Sequence, residues 1–101
     1  MPKPLVVWGA AGKGGMFGFF VDPEGELIDA YVDIDPQKQG TFVPATGHPI
    51  YGPDSIESLK VQTVLVANPS YLDETRAACR ARRPHAEVWA IDKLPPGDAH
   101  A

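Results

Sequence analysis

The stretch Leu5-Val6-Val7-Trp8, apolar at every position and halted by Gly9, constrains this chain more than any other feature. Four apolar residues in succession leave no polar face to turn to water, so the run fits a strand covered on both sides. A strand covered on both sides belongs in a sheet with helices above and below it. Gly9 opens the segment Gly9-Ala10-Ala11-Gly12-Lys13-Gly14-Gly15, in which four of seven residues are Gly. Met16, Phe19 and Phe20 then recur at i, i+3 and i+4, the spacing of a short buried helix that ends near Asp22-Pro23.

Further along, Leu27 to Ile34 alternates as a second strand and is closed by Asp33-Ile34-Asp35-Pro36, because Pro36 disfavours helix at Asp35. Gln37 to Pro53 is dense in Gly and Pro, with extended segments expected at Thr41-Phe42-Val43 and Pro49-Ile50-Tyr51. Pro53 to Leu59 reads as a short helix and Val61 to Ala67 as another strand. Ser70 is expected to cap the next helix, with Asp73 at its third position, and Leu72, Thr75 and Cys79 share one face of it before Pro84. Val88 to Ile91 is the last strand. Apolar strands interleaved with helices predict an α/β fold, a small Rossmann-like three-layer domain with a mostly parallel sheet in the order 3-2-1-4-5. Residues 1–94 form that single domain, and the tail 95–101 has nothing to bury and is expected to fray.

Composition narrows the functions open to such a domain. In 101 residues there are 9 Lys+Arg and 13 Asp+Glu, a net charge of −4, so nothing overall attracts nucleic acid or an anionic membrane. No apolar run approaches the ~20 residues of a membrane span, and the short apolar stretch after Met1-Pro2-Lys3-Pro4 is no signal sequence. One Cys and three scattered His supply neither a disulfide framework nor metal-ligand spacing, and a cytoplasmic setting is expected.

In an open parallel sheet ligands bind beyond the strand C-termini, where the strand order reverses. Three segments converge there: Gly9–Gly15, Asp33–Asp35 and Asn68–Tyr71. The spacing Gly9-x-x-Gly12-x-Gly14 is neither G-x-G-x-x-G nor a Walker loop, yet backbone N–H groups of Gly12, Lys13 and Gly14 at a strand-to-helix handover suit a phosphate. The alternative is a turn that lets helix and sheet pack closely. Asp33 stands about 20 residues beyond the loop, where a ribose diol is often held, but Asp-x-Asp-Pro is also ordinary turn chemistry, and Asp35 fits that second role better. Asn68 or Tyr71 could bond a base or sugar. No catalytic residue is assigned: Asp73 and Glu74 point ~100° apart and suit the helix N-terminus. Cys79, on the apolar face, reads as a buried structural thiol, and His48 has no placed partner. The cluster Arg76, Arg80, Arg82 and Arg83 reads as a solvated helix end.

Taken in order, Val7 to Gly14, Val32 to Gly40, Phe42 to Thr46 with His48-Pro49-Ile50, and Asn68 to Glu74 resemble the C-terminal domain of sugar C-methyltransferases. The family pattern G-A-G-G-K-G, D-x-N-P-x-K-Q-G, P-G-T-x-I-P-I and N-Y-x-x-E-I is met at Gly9, Ala10, Gly12, Lys13 and Gly14. It is met again at Asp33, Pro36, Lys38, Gln39 and Gly40, at Pro44, Thr46, Pro49 and Ile50, and at Tyr71 and Glu74. Ala11 and Ala45 stand where Gly is expected, Asp35 replaces Asn, and Asn68-Pro69 replaces a Trp-Asn pair. The resemblance implies a Rossmann-like domain that, in the family, follows a zinc-binding domain and an S-adenosylmethionine domain acting on nucleotide-linked deoxysugars. Neither of those is encoded in these 101 residues, so the resemblance implies a domain without catalysis of its own. It would bind a nucleotide or nucleotide sugar, or dock to a separate methyltransferase partner. A weaker likeness is to the N-terminal nucleotide-sugar-binding domain of sugar acyltransferases.

Two functions of different kind follow. As a binding module, the chain holds a phosphate at Gly12–Gly15 and a sugar hydroxyl at Asp33. As a ligand-free scaffold, it offers Tyr31, Phe42, Tyr51 and the Pro-rich loop to a protein partner or to a second copy of itself.

Overall fold

The computed structural model describes residues 2–9, 27–43, 46–91 and 93. The expected helix over 16–21, the greater part of the glycine-rich segment and the tail 95–101 lie outside these residues. The described elements are β1 (Leu5–Trp8), β2 (Ala30–Val32), β3 (Ile50–Tyr51), α1 (Ser55–Ser58), β4 (Thr63–Val66), a 3₁₀ turn (Pro69–Tyr71), α2 (Leu72–Arg82) and β5 (Glu87–Ala90).

The five strands form one sheet in the order β3-β2-β1-β4-β5, and every pair is parallel. This is the Rossmann-like order expected from the interleaving of apolar runs. At the centre Val7 is in register with Tyr31 on β2 and Leu65 on β4. Strand β1 therefore has neighbours on both sides, which explains why Leu5, Val6 and Val7 are all 0% exposed. Odd and even positions feed opposite faces. Leu5, Val7, Tyr31, Ile50 and Leu65 pack on one face, while Val6, Ala30, Val32 and Val64 meet Ile56, Val61 and Cys79 on the other. Fully burying one such Val or Leu is worth ~1.5–3 kcal/mol.

The strands are shorter than the apolar runs suggest. Only Ala30–Val32 of the Leu27–Ile34 run pairs, because Asp29 instead accepts the Leu5 N–H through Oδ2 at 2.8 Å and Ile34 is turned out to solvent at 70% exposure. Thr41-Phe42-Val43 joins no named strand and contributes a single antiparallel bridge, Phe42 to Pro49.

The capping of the helices also differs from expectation. Ser70 is not the cap: Asn68 Oδ1 accepts from the Ser70 N–H at 3.1 Å and from its hydroxyl at 2.8 Å, starting the 3₁₀ turn that runs into α2. Ser70 loses that role because it already lies inside the turn. Helix α1 ends in a Schellman motif: the Lys60 N–H donates to Glu57 O at 3.0 Å and the Val61 N–H to Ile56 O at 3.1 Å. Lys60 takes φ +54° there, and Ile56 and Val61 pack together in the core.

On α2, Thr75 and Cys79 are buried as their spacing predicts. Burial in apolar surroundings pushes the Cys79 thiol up to about 11, against an opposing pull from Arg82. The Arg cluster is only partly a solvated face. Arg82 donates to Ala78 O at 3.0 Å and reaches Asp54 at 3.3 Å, and Arg83 Nε donates to Val61 O at 3.3 Å. Tyr31 is 0% exposed and so belongs to the core, not to a docking surface.

Candidate functional site

Where β1, β2 and β4 end, the chain encloses a pocket of about 560 Å³. Parallel strands deliver their C-termini to one edge, so three loops meet there although they are far apart in sequence. Gly9 leaves β1, Asp33 and Ile34 leave β2, and Ala67 and Asn68 leave β4. Helix α2 closes one wall with Glu74, Thr75 and Ala78, with Tyr71 one turn ahead of them.

Gly9 has φ +97°, and a Cβ there would stand 3.5 Å from that of Ala67. The conformation, rather than crowding, is what calls for Gly. Its N–H donates to Val32 O at 2.7 Å, tying the exit of β1 to the end of β2.

Asp33 is held from several directions. Its N–H donates to Tyr51 O at 2.9 Å, its carbonyl accepts from Gln39 Nε2 at 2.9 Å, and its Oδ1 accepts from the Asp35 N–H at 2.9 Å. The side chain thus makes the expected Asx turn and also lines the pocket. Only 9% of Asp33 is exposed, and its Oδ2 receives no donor among the described residues. Asp35 is a turn residue, its Oδ1 accepting from the Gln37 N–H at 3.0 Å.

Asn68 lines the pocket, but its Oδ1 is committed to Ser70, which leaves its amide N–H groups for a ligand. Tyr71 lines it as well and is 53% exposed. Of the residues singled out from the sequence, Gly9, Asp33, Asn68 and Tyr71 are brought together; Gly12, Lys13 and Gly14 lie outside the described residues. His48 stays apart: its Nδ1 and the Thr46 hydroxyl are 2.7 Å from each other, and its ring leans on Tyr31.

Sequence reasoning missed Trp8, Val66, Ala67, Glu74, Thr75 and Ala78 as pocket residues. The helical signal was present, since Tyr71, Glu74, Thr75 and Ala78 stand at i, i+3, i+4 and i+7 and so share one face. Thr75 is 2% exposed and lines the pocket. No group of three or more His, Cys, Asp or Glu among the described residues could hold a metal, and no helix there is long and apolar enough to cross a membrane.

Comparison with known proteins bears on fold and family. The sequence model of the family described as C-methyltransferase C-terminal domain matches residues 2–89. No curated protein matches. Among solved structures, the chain is similar to RSP, a Rex-family repressor, with TM-score 0.62 and 19% identity over 93% of this chain and 48% of that one. The chain therefore spans less than half the length of that repressor, and at this identity the likeness concerns the fold alone.

Proposed function

The chain belongs to the C-methyltransferase C-terminal domain family, and from that premise we propose that its pocket binds a nucleotide or nucleotide sugar. The domain holds this ligand for methyl transfer carried out by another domain or chain. The single observation that carries the reading is the pocket itself, at the strand C-termini, with a buried carboxylate whose Oδ2 is unengaged among the described residues. In this reading Asp33 accepts a hydrogen bond from a sugar hydroxyl, Asn68 donates to the base or sugar, and Trp8 and Tyr71 offer aromatic faces. Lys13 with the N–H groups of Gly12 and Gly14 takes the phosphates.

A second reading, a protein-docking surface near β3, is favoured by the exposure of Ile34 at 70% and Phe42 at 64%. Its occupant would be a methyltransferase partner or a second copy of the chain.

Thermal unfolding with a ligand panel tests the binding reading. The panel holds NAD, S-adenosylmethionine, uridine and thymidine diphosphates and a nucleotide sugar of each. A bound ligand at about 100 times its Kd adds ~2.7 kcal/mol, a rise in Tm on the order of 10 °C for a domain this small. An unchanged Tm with every ligand at millimolar concentration would remove the reading and favour the docking surface.

A further inference from the structure

The outermost strands of the sheet, β3 and β5, differ in what their outer edges leave open. On β3 the Ile50 N–H and C=O point away from β2, and both are taken. The N–H donates to Thr41 O at 2.9 Å and the carbonyl accepts from the Gly40 N–H at 2.8 Å. On β5 the Glu87 and Ile91 N–H groups donate inward, to Gln62 O at 2.9 Å and Val66 O at 3.1 Å. The alternate groups therefore face outward: the carbonyls of Ala86, Val88 and Ala90, and the N–H groups of Val88 and Ala90. Ala90 O accepts from the Lys93 N–H at 3.0 Å. Val88 O accepts from Arg76 Nη2, which reaches over from α2, at 3.4 Å.

We propose that Arg76 keeps β5 from pairing with β5 of a second copy of the chain. An antiparallel pair about a two-fold axis at Val88 would exchange the Val88 N–H and C=O between the copies. The Ala90 N–H of each would meet Ala86 O of the other. Val88 N–H, Ala90 N–H and Ala86 O have no hydrogen-bond partner among the described residues. Ala90 O and the Ala86 N–H, which donates to Arg83 O at 3.1 Å, are not needed by that ladder. Among the described residues Val88 O is thus the group in the ladder already in use, and its donor is a side chain from another element.

The side chains of β5 suit the same register. Glu87 of one copy would stand opposite Trp89 of the other, and within one copy its carboxylate already accepts the Trp89 indole N–H at 3.1 Å. Like charges therefore do not face each other across the pair. A strand edge with open donors is a template for association, and a charged side chain laid on it is one way to close it.

Sedimentation equilibrium and amide hydrogen exchange of the full chain test this. Arg76→Ala is expected to self-associate at least about tenfold more tightly than the unaltered chain, the equivalent of one bond to a charged group released. Exchange at the Val88 and Ala90 amides should slow as the dimer forms. Adding Val88→Pro removes the outward N–H without costing a bond to β4, and should return the sedimentation of Arg76→Ala to that of the unaltered chain. Arg76→Leu, which keeps an apolar stem on α2, serves if the Ala variant does not fold. Association no tighter in either Arg76 variant would overturn the proposal. So would a tighter dimer in which Val88 exchanges as before, or an unaltered chain already dimeric with its Val88 amide protected.

Discussion

The Gln39 side-chain amide donates to the main-chain carbonyl of Asp33 at 2.9 Å, six residues back along the chain. The bond closes a turn already tied by the Asp33 and Asp35 carboxylates, each accepting the N–H two residues on. Gln39 also lies over Gly52, where an added Cβ would come within 3.0 Å of it. The run Asp33-x-Asp35-Pro36-x-Lys38-Gln39-Gly40 is therefore a device that fixes one carboxylate at the rim of the pocket.

Replacing Gln39 by Leu keeps the volume and loses the donor. A stability loss of about 1–2 kcal/mol is expected, with weaker ligand binding because Asp33 is no longer held. Urea unfolding and ligand titration of the variant measure the two effects separately.

Gly9→Ala should destabilise the domain by ~1–3 kcal/mol, the cost of holding a non-Gly residue at a positive φ. The space is not the obstacle, since the new methyl would sit 3.5 Å from Ala67 Cβ. Chemical denaturation of the variant checks this, and binding should fall as well because Gly9 lines the pocket.

Lys60→Gly predicts a gain. Lys60 occupies the left-handed position of the Schellman motif after α1 at φ +54°. Relief of that conformation is worth ~1–2 kcal/mol, offset in part by the larger unfolded-state entropy of Gly. The net expectation is a stabilisation of up to about 1 kcal/mol in urea unfolding.

Cys79 sets an alkaline limit. Its thiol goes from 9.0 to about 11 in the folded chain because burial disfavours the thiolate. Below pH 9 both folded and unfolded forms keep the proton and its contribution is complete. Between pH 9 and 11 the unfolded chain ionises first, so stability falls as pH rises. Cys79→Ala should flatten that decline, and a thiol reagent at pH 8 should react with the native protein only at the rate of opening.

Much of the fold was legible because β1 is apolar throughout and the other strand runs alternate with helical spacing. The order 3-2-1-4-5, the Rossmann-like one with β1 central, is the order the sheet has. Asp33 was legible from its place after a strand, and Asn68 and Tyr71 from theirs. What escaped notice depends on three-dimensional neighbours. That Ser70 donates to Asn68 rather than capping α2 is set by the 3₁₀ turn, which propensity does not reveal. Tyr31 looked like a surface aromatic, but β1 and β3 flank its strand and bury it. Thr75 and Glu74 were assigned to packing and to the helix dipole because the wall they form exists only once β4 brings α2 to the edge of β1.

The most direct measurement is an amide chemical-shift titration of the full chain with uridine and thymidine diphosphates and their sugar conjugates, read at Gly9, Asp33, Asn68 and Thr75. Saturable shifts gathered at these four amides are predicted. Spectra that stay unchanged to millimolar ligand, or shifts confined to the β3 side around Phe42, would contradict the account.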